Sequence, residues 1–218
     1  MKILFQNRHV VAVDKAAGVL TVPGRLGKED PRPVLGLQLQ EQLKTQVFPI
    51  HRLDFEVSGL VLFALSADAH RDLSQLFLSK EIQKSYQALT ENKNAADPTP
   101  GQAWQWQARI LRGKKRAFES PHGKESRTEA TFIRKSNQGL RWVLRPVTGR
   151  SHQLRFDLSR NGYPIIGDTL YGALPGGPQN EISLRAVSLE IQNQMLCQKW
   201  ELPSLIAAVG LFDVETAL

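Results

Sequence analysis

Short strand-like segments outnumber helix-like segments in this 218-residue chain, and the two kinds do not alternate regularly. Alternating or continuous apolar runs bounded by turn residues predict strands within residues 3–14, 50–65, 83–90, 104–111, 127–135 and 140–147. Helical spacing of apolar residues occurs at 34–44, after the capping residue Ser66, and at 151–160. The order favours an α+β fold, with a mixed, largely antiparallel sheet flanked by helices, over βαβ winding.

The length suits one sizeable domain or two small ones. Residues 91–104 are polar and contain prolines, which predicts a loop within a domain and not an autonomous linker. The apolar stretches are too short to span a bilayer, and Gln6, Asn7 and Arg8 interrupt any signal-peptide pattern. Cys197 is the only cysteine, which excludes an internal disulfide and favours the cytoplasm.

Positive charge is concentrated in the second half of the chain. Residues 109–160 contain 14 lysine or arginine and 4 acidic residues, a net charge of +10, so the remaining residues carry −3 of the total +7. Glycine and proline interrupt this region, which argues against a basic membrane-surface helix and leaves nucleic acid as the favoured partner. A solvated basic face is the alternative.

The segment RGKKRAF at 112–118 predicts the tip and return of a hairpin. Lys114, Lys115 and Arg116 are consecutive, so an extended strand cannot turn all three inward, and a buried unpaired lysine is costly. We therefore expect an exposed hairpin that grips nucleic acid and lies outside any catalytic pocket.

A charged tetrapeptide, HRLD, stands at 51–54, where a turn-like Ser58-Gly59 leads into the apolar run that ends at Leu65. A carboxylate beside a guanidinium near the core is costly unless the two are paired. The pattern therefore indicates either a structural ion pair or a charge held at the edge of a pocket.

Five segments in order resemble the RluA family of RNA pseudouridine synthases over roughly the whole chain. They are KAAGVLTVPGR from Lys15, HRLDFEVSGLVLFAL from His51, KSYQA from Lys84, the weaker GKESRTE from Gly123, and LRPVTGRSHQLRFDLSRNGYPIIGDTLYG from Leu144. VPGRL at 22–26 and TGRSHQLR favour the short members that act on both ribosomal and transfer RNA. The resemblance implies one pseudouridine synthase catalytic domain over residues 1–218, with an RNA-binding cleft and no N-terminal S4-like module.

The resemblance also implies roles for individual residues. Asp54 corresponds to the family's aspartate, which attacks C1′ or deprotonates C2′ of the target nucleotide, and Arg150 to the arginine that keeps it ionised. Tyr86 corresponds to the tyrosine that packs on the base and helps to remove the C5 proton. Arg52 resembles the residue that holds the nucleotide out of the stack. The remaining substrate-binding candidates are His51, which could equally be structural, and the supporting or phosphate-contacting His152, Gln153 and Arg155.

The chain departs from the family pattern at Ala16, Val57 and Asp157, and we expect Asp157 to subtract charge from an RNA-facing surface. The isomerisation is redox-neutral, so we expect no electron-carrying or nucleotide cofactor, and no other cofactor. The five histidines show no clustering with carboxylates, so we expect no metal. We also expect a monomer that binds a stem-loop of ribosomal or transfer RNA. A non-catalytic RNA-binding factor of the same fold is the competing hypothesis. A glycoside hydrolase would require paired carboxylates, and only one candidate acid lies in a motif.

Overall fold

A computed structural model describes residues 1–24 and 27–213 of the chain. Arg25 and Leu26, which end the predicted 22–26 segment, lie outside the described residues. The chain divides into two compact units. Unit 1 comprises residues 1–83 and 186–208, and unit 2 comprises 84–185 with the described residues from 209 onward.

The described chain contains eleven strands and four α-helices, which confirms the predicted α+β class. The strands are β1 (Lys2–Gln6), β2 (Val10–Lys15), β3 (Phe48–Pro49), β4 (Ser58–Ala64), β5 (Ile82–Thr90), β6 (Ala103–Arg112), β7 (Ala117–Glu119), β8 (Lys124–Ser136), β9 (Gly139–Pro146), β10 (Leu184–Ile191) and β11 (Leu205–Ala207). The helices are α1 (Leu35–Leu43), α2 (Ala67–Leu78), α3 (Gln153–Arg160) and α4 (Gln194–Lys199), with 3₁₀ turns at Gly27–Glu29 and Thr169–Tyr171. None of the helices in this part of the chain has the length and apolar character needed to span a bilayer.

Unit 1 orders its strands β1-β2-β4-β10, with β3 beside β4 and β11 beside β10. The inner strands β2 and β4 contain the apolar runs 10–13 and 60–64, which are buried on both faces, and they pair antiparallel from Val10↔Ala64 to Lys15↔Gly59. Helix α2 begins as predicted, because the Ser66 hydroxyl accepts the Ala69 N–H at 3.2 Å. Its apolar side packs on this core.

The predicted turn at Ser58-Gly59 is wrong, because β4 already begins at Ser58. Gly59 has a φ of +112°, and a Cβ at this position would lie 2.1 Å from the carbonyl oxygen of Ala186. Glycine is therefore required by the close approach of the β10 backbone and not by a chain reversal.

Unit 2 orders its strands β5-β9-β8-β6-β7. The long pairs β6–β8 and β8–β9 are antiparallel. The 137–139 turn predicts the β8–β9 pair. Trp142 is fully buried at the centre of this unit, where it contacts Phe132 and Tyr163 and donates its indole N–H to the Thr90 hydroxyl at 2.9 Å. The prediction of one catalytic domain over residues 1–218 stays a prediction.

Candidate active site

Asp54 lies in the segment 50–57 between β3 and β4, which we call the Asp54 loop. One buried hydroxyl fixes this loop: Thr21 Oγ1 accepts the N–H of Leu53 at 3.1 Å and donates to the carbonyl of the same residue at 3.1 Å. The Val57 N–H closes the turn on the Asp54 carbonyl at 3.2 Å. The Asp54 side chain itself is half-buried.

A buried lysine supports the same loop. Lys15 is 0% exposed, and its Nζ donates to the carbonyls of Val19 at 2.6 Å, Ala16 at 3.0 Å and Phe55 at 3.3 Å. Burial lowers the pKa of Lys15 to about 8, and the opposing charges of Asp54 and Glu56 limit the decrease. The resemblance places Lys15 only at the start of the KAAGVLTVPGR segment. The one signal for its burial in the sequence is its position at the end of an apolar strand.

His51 is a structural residue of the Asp54 loop. Its Nε2 accepts the backbone N–H of Leu62 at 3.1 Å, and its ring stacks on Phe77 with the centroids 5.0 Å apart. These contacts favour the structural alternative, and the RNA contact predicted for His51 stays a prediction. Arg52, by contrast, is exposed.

Tyr86 lies on β5, as predicted, and pairs with Leu144 on the adjacent strand β9. It is half-buried, and Lys84 two residues earlier shares its strand face. Burial lowers the pKa of Lys84, whose Nζ lies 3.4 Å from the position that a Cβ of Gly149 would occupy. Unit 2 therefore places Tyr86 one strand away from the segment that follows β9.

That segment, residues 147–152, carries Arg150, and we call it the Arg150 loop. The Arg150 side chain is exposed, and its Nε donates to the carbonyl of Glu125 at 2.9 Å. Its backbone N–H donates to Gln153 Oε1 at 3.0 Å, and the Thr148 hydroxyl donates to the same oxygen at 2.7 Å.

Gln153 is 3% exposed, and both ends of its amide are used. Its Nε2 donates to the carbonyl of Arg127 at 3.0 Å and to the Thr128 hydroxyl at 2.8 Å. The amide thus joins the Arg150 loop to β8. The prediction that Gln153 binds substrate is revised to a positioning role, because its polar atoms are buried and already paired.

Asp157 continues this chain of hydrogen bonds. It is 1% exposed and accepts the Thr128 hydroxyl at 2.6 Å. Burial raises the pKa of Asp157 to about 6, and the Thr128 hydrogen bond and the nearby Arg160 charge limit the increase. The expectation that Asp157 subtracts charge from an RNA-facing surface is wrong, because the carboxylate is inside the unit.

Arg155 is also inside. Its guanidinium is 2% exposed and binds Asp168 through two hydrogen bonds of 2.7 and 2.8 Å. Because the guanidinium is buried and paired, Arg155 has a supporting role, and the predicted phosphate contact is revised. His152 is half-buried, and its Nδ1 lies 3.1 Å from the Tyr171 hydroxyl.

The predicted hairpin at 112–118 is confirmed. Strands β6 and β7 pair antiparallel from Ile110↔Glu119 to Arg112↔Ala117, and the Gly113 N–H donates to the Arg116 carbonyl at 3.0 Å. The three consecutive basic side chains at the tip are all exposed: Lys114, Lys115 and Arg116. Within residues 1–24 and 27–213, no three potential ligands among histidine, cysteine and acidic side chains cluster as a metal site would require.

Comparison with known proteins gives the family context of these loops. The sequence model of the RNA pseudouridylate synthase family matches residues 9–160. The chain is 32% identical over 203 residues to the dual-specificity RNA pseudouridine synthase RluA of Yersinia pestis, covering 90% of this chain and 91% of the relative. It is 34% identical over 179 residues to the RluA of Escherichia coli K12, covering 78% and 77%.

Two solved human structures share the fold. Human RNA pseudouridylate synthase domain containing 1 superposes with a TM-score of 0.71 at 24% identity, over 89% of this chain and 79% of that one. Human RNA pseudouridylate synthase domain containing 4 gives a TM-score of 0.70 at 21% identity, over 96% and 89%. At these identities the likeness establishes the fold alone.

Proposed function

The chain belongs to the RluA family of RNA pseudouridine synthases, isomerases that convert uridine to pseudouridine in RNA, and we propose that it acts through Asp54 on specific uridines of structured ribosomal or transfer RNA. The reaction breaks the C1′–N1 bond, rotates the uracil and rejoins it to the ribose through C5. Asp54 supplies the carboxylate, either as a nucleophile at C1′ or as a base at C2′.

The construction of the Asp54 loop is the observation that carries this proposal. Thr21 and Lys15 hold the loop through its backbone groups, at Leu53 and Phe55. A catalytic group requires a fixed geometry within a few tenths of an ångström, which such support provides. A loop that only joined two strands would not require a buried ammonium.

Arg150 and Tyr86 complete the proposed chemistry. The resemblance assigns the Arg150 guanidinium to Asp54, where a positive charge favours the ionised carboxylate. Tyr86 packs on the target base, and its hydroxyl helps to remove the C5 proton. The exposed Arg52 holds the extruded nucleotide, which must leave its stack before the sugar can be reached.

The basic region provides the RNA contacts. Exposed Lys114, Lys115 and Arg116 at the hairpin tip are suited to backbone phosphates. Replacing all three with glutamine is expected to weaken RNA binding and to reduce the log–log salt slope by up to about 3, because each neutralised phosphate contributes roughly 0.9. An affinity and a slope both equal to wild type would assign the RNA contacts elsewhere in residues 109–160.

We further propose that the enzyme works in the cytoplasm as a monomer and without a metal. It needs no redox cofactor, since no step transfers electrons. A non-catalytic RNA-binding factor is the alternative. It is distinguished by turnover, because it would bind the same RNA and leave every uridine unchanged.

Pseudouridine mapping tests the function directly. We would chemically probe ribosomal and transfer RNA from cells with the gene, without it, and with the gene carrying Asp54→Asn. The proposal expects at least one pseudouridine that disappears on deletion and returns with wild type but not with Asp54→Asn. Identical maps in all three strains would overturn it.

A further inference from the structure

The segment GDTLYG at 167–172 takes no part in the proposed chemistry, yet it buries two side chains, Asp168 and Tyr171, inside unit 2. Tyr171 is 5% exposed, and burial raises its pKa. Its ring lies 5.2 Å from the Arg155 guanidinium, which Asp168 of the same segment holds in a buried ion pair. The Ser159 hydroxyl donates to the Tyr171 carbonyl at 2.6 Å. The position of this ring is therefore fixed by contacts that do not involve its hydroxyl.

The hydroxyl lies between two functional segments. On one side it accepts the N–H of Ala117 at 2.6 Å. Ala117 is buried and directly follows Arg116, so this bond holds the base of the basic hairpin. On the other side the hydroxyl lies 3.1 Å from Nδ1 of His152, two residues after Arg150.

His152 is in a conformation that needs support. Its φ is +57°, a left-handed backbone that non-glycine residues adopt only when the surroundings stabilise it. The residue ends the Arg150 loop and immediately precedes α3. A hydrogen bond to its ring therefore bears on the path of the backbone from Arg150 into the helix.

We propose that Tyr171 is a positioning residue whose hydroxyl couples the RNA-gripping hairpin to the Arg150 loop. RNA phosphates held at Lys114, Lys115 and Arg116 fix the hairpin base at Ala117. The Tyr171 hydroxyl, on its fixed ring, joins that base to His152 and so holds the Arg150 loop in the reactive arrangement. The inference rests on the proposed function, because it assigns a consequence for turnover to RNA binding at the hairpin.

The test uses Tyr171→Phe, which keeps the ring and removes the hydroxyl. Single-turnover pseudouridine formation at saturating RNA is expected to fall about tenfold, with the Kd for RNA within about twofold of wild type, as for a coupling carried by a single contact. Ser159→Ala is the matched control. It removes a hydrogen bond to the same segment and is expected to lower the Tm without changing the rate.

Combining Tyr171→Phe with substitutions at the hairpin tip distinguishes coupling from local support. The triple glutamine variant at the tip should slow single turnover at saturating RNA several-fold in the wild-type background and have no further effect on the rate beside Tyr171→Phe. A normal rate in Tyr171→Phe, or rate effects that multiply independently, would overturn the proposal.

A second variant tests the same coupling from the other side. If Tyr171→Phe fails to fold, His152→Leu removes the other partner and leaves the Ala117 bond intact, and the same rate loss and non-additivity are expected. Failure of the proposed function would show as a wild-type enzyme that makes no pseudouridine. Failure of the coupling would show as variants that make it at the wild-type rate.

Discussion

The Asp54 loop and the Arg150 loop are held in place by opposite kinds of side chain. The Asp54 loop contacts a buried ammonium, Lys15, which donates to three backbone carbonyls. The Arg150 loop is held by a neutral amide, Gln153, whose far end leads through Thr128 to the buried carboxylate of Asp157. In each loop, side chains from outside the loop pair with its backbone groups.

The difference gives the two loops opposite responses to pH. A buried base with a lowered pKa makes the fold more stable as the pH rises, because the unfolded chain then binds more protons than the folded one. A buried acid with a raised pKa does the reverse over its own range. The pH range over which stability changes therefore shows which supporting charge is titrating.

Arg150→Ala is expected to give the largest change. The guanidinium is assigned to the chemistry, so single-turnover pseudouridine formation at saturating RNA should fall by about a hundredfold, a typical cost for one positioned electrostatic group. Arg145→Ala is the matched control. Arg145 is at an exposed position on β9 in the same unit, and the variant should react at the wild-type rate. A normal rate with weakened affinity would reassign Arg150 to RNA binding.

Lys15→Met tests the charged support of the Asp54 loop. The pKa of Lys15 is lowered from 10.5 to about 8, so the wild-type free energy of unfolding should rise between about pH 8 and 10.5. The contribution is up to about 3 kcal/mol for a shift of this size. Denaturant titrations at several pH values should show this rise in wild type and its loss in the variant. Equal pH dependence would mean that Lys15 titrates normally in the fold.

Asp157→Asn tests the other side of the comparison. The pKa of Asp157 is raised from 3.8 to about 6, so the folded protein binds the extra proton between these values, and stability falls as the pH rises through that window. We expect wild type to lose up to about 3 kcal/mol relative to the variant between pH 4 and 6. Asp68→Asn, which removes an exposed carboxylate, serves as the control.

Thr21→Val is expected to give a smaller change. The substitution keeps the volume but removes the hydroxyl that pairs both backbone groups of Leu53, which costs about 2 kcal/mol for buried groups left unpaired. Turnover should fall along with stability, because the Asp54 loop loses its anchor. Thr169→Val, at an exposed position, serves as the control. A fully stable and active Thr21→Val enzyme would show that Lys15 alone suffices.

Local patterns predicted most of the elements that hold these loops. Period-two alternation gave β6, β8 and β9, and the Ser66 cap gave the start of α2, because each signal depends on neighbouring residues. The basic hairpin followed from the same logic. The short helix α4 was missed, since six residues among glycine and proline turns carry little periodicity.

The supports of the site could not be predicted in the same way. The partners of Arg155 and Asp157 are Asp168 and Thr128, 13 and 29 residues away, and no local pattern encodes such pairings. Charged residues are normally exposed, so the burial of Lys15, Arg155 and Asp157 could not be predicted from their residue types. The need for glycine at position 59 comes from the backbone of Ala186, which is far away in the sequence, so the local pattern around Gly59 indicates only a turn.

The central claim is that Asp54, on its anchored loop, carries out the isomerisation. Joining the ribose to C5 displaces the hydrogen on that carbon, so RNA labelled with tritium at C5 of uridine releases tritium to water with each turnover. Purified wild type and Asp54→Asn should bind this RNA equally and melt alike. The account predicts release by wild type and less than about one per cent of that rate by Asp54→Asn, the minimum loss for a covalent or general-base group. Release by Asp54→Asn at more than a few per cent of the wild-type rate would contradict it.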